Sequence, residues 1–257
     1  MDYFIVCAAA LLASGLTLFS GFGLGTLLMP VFAVFFPVQA AIVLTAVVHL
    51  LNNLFKLALV GKFADRPVIV RFGLPGVVAA FLGAWTLSKL STLPPVMTYQ
   101  LSGRDVSIMP VNVVVAILIV VFVVLELLPQ FQALSFEQQY LPFGGFASGY
   151  LGGLSGHQGA LRSAFLTRCR LSAESYIGTS VVIACLVDVA RITTYGAQFS
   201  LENAGTHVSL LAAATASAFL GAYLGSRLVK KITMRAIQII VTVMLLGIAV
   251  GMGSGLL

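Results

Sequence analysis

The chain has 257 residues, of which 60% are hydrophobic and only 9% are charged, and its mean hydropathy is +1.07. Soluble globular domains are about 45–50% apolar and about 25% charged, so this composition excludes a soluble enzyme. Residues 3–48 contain no Asp, Glu, Lys or Arg, whereas one membrane-spanning helix needs only about 20 apolar residues. The sequence therefore predicts an all-α integral membrane protein with several spans. The ten-residue alternation of a transmembrane β-barrel is not visible.

Most basic residues flank apolar segments, which accounts for the net charge of +6 without a nucleic-acid partner. The cysteines Cys7, Cys169 and Cys185 lie in or beside apolar segments without metal-ligand spacing, and we interpret them as small packing residues. We expect no metal and no cofactor. The expected partners are the lipid bilayer and a small anionic substrate, and a homo-oligomer is an open option.

Charged or proline-rich breaks divide the chain into about eight apolar segments. Their predicted ranges are 3–34, 39–60, 67–90, 108–128, 139–167, 173–195, 204–229 and 234–256.

The first and fifth segments are too long for a single span, and glycines interrupt both of them. Residues 20–25 read Ser-Gly-Phe-Gly-Leu-Gly, and residues 152–159 read Gly-Gly-Leu-Ser-Gly-His-Gln-Gly. Glycine destabilises a helix interior and leaves backbone groups accessible. We therefore predict a broken helix at each of these two positions.

The two breaks are related by an internal duplication. Ser20-Gly21 and Ser155-Gly156 stand 135 residues apart, and residues 80–85 agree with residues 218–223 at five of six positions. The chain is therefore predicted to consist of two four-segment repeats, residues 1–130 and residues 131–257. Broken helices in corresponding positions of two repeats are the best sequence indication of a transporter site near the bilayer midplane.

The basic loop residues give an orientation if all eight segments cross the membrane. With the N-terminus outside, eight basic residues fall in inner loops and three, Lys62, Arg66 and Arg71, fall in outer loops. The positive-inside rule then places both termini outside.

Polar residues recur within the second and sixth segments, where an isolated charge costs at least a few kcal/mol. Helical spacing puts each set on one face of its helix. The set in the second segment is Thr45, His49, Asn52, Asn53 and Lys56, and the set in the sixth is Ser180, Asp188, Arg191 and Tyr195.

Both sets also have plainer interpretations, which the sequence leaves open. Asp188 and Arg191 could form a self-neutralised pair that packs two helices, and Lys56 could extend to the membrane interface. His49, Asn52 and Asn53 could simply form hydrogen bonds between helices.

Arg162 is the strongest single candidate for binding an anion. It lies six residues beyond Gly156, at the start of a predicted half-helix. Free backbone N–H groups, the positive end of a helix dipole and a guanidinium together would form an anion site. Arginine also matches sulfite, sulfonate and carboxylate oxygens through paired hydrogen bonds. The alternative is that Arg162 anchors the topology together with Arg168 and Arg170.

The Gly-Leu-Ser-Gly run at 153–156 fits the pattern of an intramembrane serine protease. Such an enzyme needs a histidine that takes the serine proton, and we expect the adjacent His157 to point away from Ser155. The Ser-Gly pair at residues 20–21 shows that duplication explains the motif without catalysis, so we expect no enzyme.

Taken together, these features resemble one known family. The glycine-rich broken first helix leads into Leu27-Leu28-Met29-Pro30, an Ala/Thr-rich helix follows, and a Phe-Leu-Gly-Ala motif precedes a basic residue in each half. This ordered and duplicated set is similar to the TauE/SafE family of sulfite exporters over nearly the whole chain except 91–107. The resemblance implies secondary transport of sulfur-containing anions or related organic acids across a bacterial inner membrane, commonly as export.

We accordingly expect a secondary transporter that exports a small anion, namely sulfite or an organosulfur anion, by alternating access. The second half departs from the family pattern because His157 and Gln158 stand where glycines are usual. A small-carboxylate transporter, an anion channel and a non-transporting assembly or sensor component remain alternatives. The expected substrate-binding residues are Ser20, Gly21, Gly23, Asn52, Asn53, Lys56, Ser155, Gly156, His157, Gln158, Arg162 and Arg191. Asp188 and His49 are expected to orient an arginine or to carry a coupled proton.

Overall fold

The computed structural model describes residues 2–20, 24–128, 135–196, 208–228 and 234–257. Over these ranges the chain is almost entirely helical. The helices are α1 (Asp2–Ser20), α2 (Leu24–Phe35), α3 (Val38–Val60), α4 (Arg66–Val68), α5 (Leu74–Ser91), α6 (Pro110–Leu127), α7 (Leu141–Ser155), α8 (Gly159–Leu166), α9 (Ala173–Gly196), α10 (Val208–Leu228) and α11 (Met234–Gly253). Short 3-10 turns lie at Gly61–Phe63, Gln138–Tyr140 and Thr167–Cys169, and a π-helical turn at Ile69–Gly73 joins α4 to α5.

Three helical stretches are long and apolar enough to cross a membrane, namely Val38–Phe63, Arg66–Ser91 and Ala173–Gly196. Four shorter apolar helices accompany them at Tyr3–Gly15, Pro110–Leu125, Ser209–Gly221 and Thr242–Gly253. The prediction of an all-α membrane protein is therefore confirmed, whereas the layout of two repeats that divide at residue 130 stays a prediction.

A β-hairpin, which was not predicted from the sequence, lies between α5 and α6. Strands β1 (Met97–Leu101) and β2 (Arg104–Ile108) pair antiparallel, with Met97 opposite Ile108. Ser102 and Gly103 connect them with positive φ angles of 52° and 78°, as a tight two-residue hairpin turn requires. The fourth segment consequently begins at Pro110 rather than at residue 108.

The hairpin lies at one face of the molecule together with both described ends of the chain. Tyr99 donates a hydrogen bond to the carbonyl of Ser254 (2.7 Å), and Asn112 donates to the carbonyl of Leu257 (3.0 Å). Because α11 ends at this face, it begins at the other side of the molecule. Helix α10 ends six residues before α11 begins, so α10 also ends at that other side. The hydroxyls of Tyr3 and Ser209 are 2.5 Å apart, so α1 and α10 begin at this same face, which we call the terminal face.

The opposite face carries the turn after α3 and both ends of the fifth segment. The backbone N–H of Asp65 donates to the hydroxyl of Thr179 (2.8 Å), which joins the end of α3 to the start of α9. Before α7, the N–H of Phe136 donates to the carbonyl of Ala164 in α8 (3.2 Å), and Arg168 donates to Ser135 (2.8 Å). The fifth segment therefore enters from the opposite face as α7 and returns to it as α8.

The assumption that all eight segments cross the membrane is consequently wrong for the fifth segment. It is also wrong for the first. Helix α3 runs antiparallel to α9, with His49 next to Asp188, so α3 begins at the terminal face. Helix α2 ends at Phe35, just before α3, while α1 also begins at the terminal face. The fifth segment returns because its chain reverses at the break near Gly156. The count of eight inner to three outer basic residues therefore loses its premise.

Close helix packing positions the returning α7. Gly145, Gly149 and Gly153 of α7 lie one turn apart, and they contact the backbone of Phe72 in the π-helical turn and of Gly76 and Ala80 in α5. We call this contact the glycine seam. Small residues at this spacing let helix backbones approach each other closely. In the other half, Gly221 of α10 contacts the backbone of Leu11 in α1 in the same manner.

Candidate functional site

Asp188 is the centre of a fully buried polar network. Its Oδ2 atom lies 2.5 Å from Nδ1 of His49 and accepts a hydrogen bond from Asn53 (3.5 Å). Its Oδ1 atom accepts from Gln158 (3.3 Å) and from Nε of Arg191 (3.0 Å), whose Nη2 atom is 2.8 Å away. A carboxylate only accepts, so Nδ1 of His49 carries the proton in this contact. One carboxylate thus joins α3, α9 and the turn between α7 and α8.

The network forms where sequence periodicity placed the polar faces. Thr45, His49, Asn52 and Asn53 are buried on α3, and Lys56, one turn farther on, is partly buried. On α9, Asp188, Arg191 and Tyr195 have no exposed surface. The two faces meet because α3 and α9 pack along each other.

The fifth segment breaks at Gly156, as predicted. Helix α7 ends at Ser155, Gly156 adopts the left-handed conformation with φ of 84°, and α8 begins at Gly159. The last carbonyls of a helix lack regular partners within it, and here side chains of α9 donate to two carbonyls at the end of α7, one of which, that of Gly152, also accepts from the N–H of Gly156 (3.0 Å). Arg191 donates through Nη1 to the carbonyl of Gly152 (3.4 Å), and the Tyr195 hydroxyl donates to the carbonyl of Gly153.

Arg191 is therefore engaged twice, with Asp188 and with the carboxyl end of α7. Its geometry matches the self-neutralised pair that the sequence left open as an alternative. Only the structure could distinguish this from a free cation, because Gly152 lies 39 residues away along the chain.

Arg162 and Lys56 differ from Arg191 in their pairing. Nη1 of Arg162 donates to the amide oxygen of Gln158 (3.1 Å), and Gln158 in turn donates to Asp188. Within the part of the chain that the structure describes, no carboxylate lies within ion-pair distance of Arg162 or Lys56. Both side chains are partly buried. The two cations therefore carry positive charge that no described acidic group neutralises.

His157 is buried at the tip between α7 and α8, with its ring stacked on Phe122 at a centroid distance of 5.1 Å. Its Nδ1 atom is 3.1 Å from the Ser155 hydroxyl, so the expectation that His157 points away from Ser155 is wrong. The Ser155 hydroxyl donates to the carbonyl of Leu151 (3.1 Å). His157 Nε2 has no hydrogen-bond partner among the described residues.

Some expected site residues lie elsewhere or outside the described ranges. Asn52 turns toward α1, where the Ser14 hydroxyl donates to its side-chain oxygen (3.2 Å). Ser20 is the last residue of α1, and its side-chain position is not described; Gly21 and Gly23 fall outside the described residues.

Tyr195 and Ser148 belong to the site but were not among the site residues predicted from the sequence. Ser148 donates to the backbone carbonyl of Gln158 (2.9 Å) and thereby ties α7 to the turn at its end. Tyr195 could have been selected, because it follows Arg191 by four residues on the same helix face. Ser148 carried no comparable signal in the sequence.

We expect Gly156→Ala to lower the stability of the folded protein. A non-glycine residue in the left-handed region costs about 1–2 kcal/mol, and a Cβ atom at Gly156 would lie 2.9 Å from Nη1 of Arg191. Thermal unfolding in detergent measures the effect. Gly196→Ala is the control, because a Cβ atom there meets no described atom within 4 Å. Equal unfolding temperatures of the two variants would contradict the role given to Gly156.

Comparison with known families identifies one match. The family model described as sulfite exporter TauE/SafE matches residues 6–252, which is nearly the whole chain. No curated protein and no solved structure matches it.

Proposed function

The chain belongs to the sulfite exporter TauE/SafE family, and we propose that it exports a small sulfur-containing anion, sulfite or an organosulfur anion, by alternating access. Members of this family are multi-pass membrane transporters of anions rather than enzymes. The observation that carries the finer proposal is the pair of cations, Lys56 and Arg162, beside a buried network that is neutral apart from them.

Charge favours an anion at this position. Arg191 is balanced by Asp188, whereas Lys56 and Arg162 have no acidic partner among the described residues. Charged groups inside a membrane are costly unless they are paired, so a bound anion would relieve the cost of burying these two cations.

The surrounding groups suit an oxyanion. Arg162 lies within the first two turns of α8, whose initial N–H groups have no partner within the helix. Its guanidinium can form paired hydrogen bonds with two oxygens of one anion. The amides of Asn53 and Gln158, which already contact Asp188, lie one turn from Lys56 and Arg162 respectively. We propose these groups as the substrate site.

The proposed orientation in the membrane rests on how many basic residues lie at each face of the molecule, rather than on eight membrane crossings. Seven basic residues of the described ranges lie at the opposite face or at helix ends there, and two, Lys89 and Arg104, lie at the terminal face. The seven are Lys62, Arg66, Arg71, Arg168, Arg170, Arg227 and Arg235. The positive-inside rule then assigns the opposite face to the cytoplasm and both termini to the outside. An inside-negative potential would favour anion efflux by about 2.3 kcal/mol per charge per 100 mV.

We also propose a role for His49 and Asp188 in orienting Arg191 or in carrying a coupled proton. The short contact between Nδ1 of His49 and Asp188 joins α3 of the first predicted repeat to α9 of the second. The two predicted repeats would move relative to each other in alternating access, and this contact connects them.

Anion efflux from proteoliposomes tests the proposal. Vesicles with purified protein are loaded in turn with sulfite, sulfate, a sulfonate and a small carboxylate. We expect saturable, preferential release of a sulfur anion. Arg162→Gln and Lys56→Gln should each reduce the rate by about ten-fold or more, equivalent to about 1.4 kcal/mol.

Arg168→Gln is the matched control, since it removes one positive charge from the same face at an exposed position. Preferential carboxylate release would replace the sulfur anion with the carboxylate alternative, and non-saturable flux would indicate a channel. Absence of flux for all four anions would overturn the transport proposal.

A further inference from the structure

The polar network is ordered along the membrane normal. Helix α9 runs from the opposite face to the terminal face, so Asp188, Arg191 and Tyr195 lie progressively closer to the terminal face. Helices α3 and α8 both run toward the opposite face. Lys56 therefore lies beyond Asn53, and Arg162 beyond Gln158, in the direction of the opposite face.

The two sides of Asp188 differ in packing. On the terminal side, Tyr195 has no exposed surface and belongs to the large apolar core, together with Leu24, Leu28, Leu87 and Leu154. On the other side, Lys56, Arg162 and Ser163 are only partly buried. Among the described residues, packed side chains therefore cover the candidate site on its terminal side.

The closure depends on two bonds from α9 to the end of α7. Arg191 and Tyr195 bind consecutive carbonyls, those of Gly152 and Gly153. The carbonyl of Gly152 also accepts from the backbone N–H of Gly156 (3.0 Å). In a membrane interior an unpaired carbonyl is costly, so the bond from Tyr195 stabilises the carbonyl of Gly153. The two side chains therefore fix the tip of the returning segment against α9. We call these two residues the clamp.

We propose that the clamp of Arg191 and Tyr195 is the gate on the terminal side of the site, and that both are positioning residues that do not bind the anion. This inference rests on the proposed transport function. Releasing the two carbonyls would let the tip of α7 and α8 move away from α9 and open the site toward the terminal face.

A native cysteine offers a reporter. Cys185 lies on α9 one turn before Asp188, on the side of the opposite face, and is 7% exposed. Cys7→Ser and Cys169→Ser leave it as the single thiol of the chain. Its labelling by a membrane-impermeant thiosulfonate is measured from each side, in inside-out and right-side-out vesicles.

In the protein with Cys185 as its single cysteine, we expect labelling to be faster from the opposite face than from the terminal face. Tyr195→Phe keeps the ring but removes the bond to Gly153, and it should raise labelling from the terminal face about ten-fold. Arg191→Lys, which keeps the charge beside Asp188, should act in the same direction. Tyr150→Phe is the matched control, because it removes a tyrosine hydroxyl of α7 that contacts Thr86, away from the clamp.

The inference is overturned if terminal-face labelling in Tyr195→Phe and Arg191→Lys equals that in Tyr150→Phe. It is also overturned if the background protein labels faster from the terminal face. Efflux kinetics give a second criterion. A gate changes the maximal rate and leaves the half-saturating anion concentration unchanged, whereas loss of an anion-binding group raises that concentration. Labelling needs no substrate, so absence of efflux would overturn the transport proposal without altering the labelling result.

Discussion

Replacing Asp188 by Asn should destabilise the protein by about 3–5 kcal/mol and abolish transport. The substitution keeps the shape of the side chain but leaves Arg191 buried without its counter-ion, and removing one partner of a buried pair has a cost of this size. Arg191 has no exposed surface, so solvent cannot screen its charge. Thermal unfolding in detergent, together with the yield of monodisperse protein, measures the effect.

The double variant Asp188→Asn/Arg191→Met separates charge imbalance from general damage. Replacing both partners of a buried pair by uncharged groups is often neutral in stability, so most of the lost stability should return. Transport should not return, because His49, Asn53 and Gln158 lose the carboxylate that joins them. A double variant as unstable as Asp188→Asn alone would show that the pair does not dominate the energetics of the network.

Gly149→Ala should disrupt the packing of α7 on α5. A Cβ atom at Gly149 would lie 2.6 Å from the Cα atom of Gly76, and backbone atoms cannot move aside as a flexible side chain can. Overpacking in a well-packed interior costs about 1–3 kcal/mol, and we expect the upper end here. The unfolding temperature and the efflux rate should both fall, since α7 carries the tip at Gly156.

Gly247→Ala provides the comparison for this prediction. Gly247 is exposed on α11, and a Cβ atom there meets no described atom within 4 Å. Alanine at such a helical position is neutral or slightly stabilising. If Gly149→Ala unfolded at the same temperature as Gly247→Ala, the close approach of α5 and α7 would be contradicted.

The sequence predicted the polar faces well because helical periodicity is a local property. Residues spaced by three or four positions share a face whatever the rest of the chain does, so the buried sets on α3 and α9 were predictable. The break at Gly156 was also predictable from the local sequence, since it depends on the conformational freedom of one glycine. The β-hairpin at 97–108 was not predicted because its strands are short and lie between two strongly apolar segments.

Composition and periodicity by themselves determined the membrane class, the helical fold and which residues face inward. The tertiary structure decided how those residues are partnered. His49 and Asp188 are 139 residues apart in the sequence. Local sequence also does not show that Arg191 binds Asp188 and the carbonyl of Gly152, whereas Arg162 has no acidic partner among the described residues. The return of the fifth segment to its own face was likewise decided by contacts such as that of Phe136 with Ala164. A helix fixes its faces over a few residues, whereas ion pairs and chain reversals depend on which distant segments pack together.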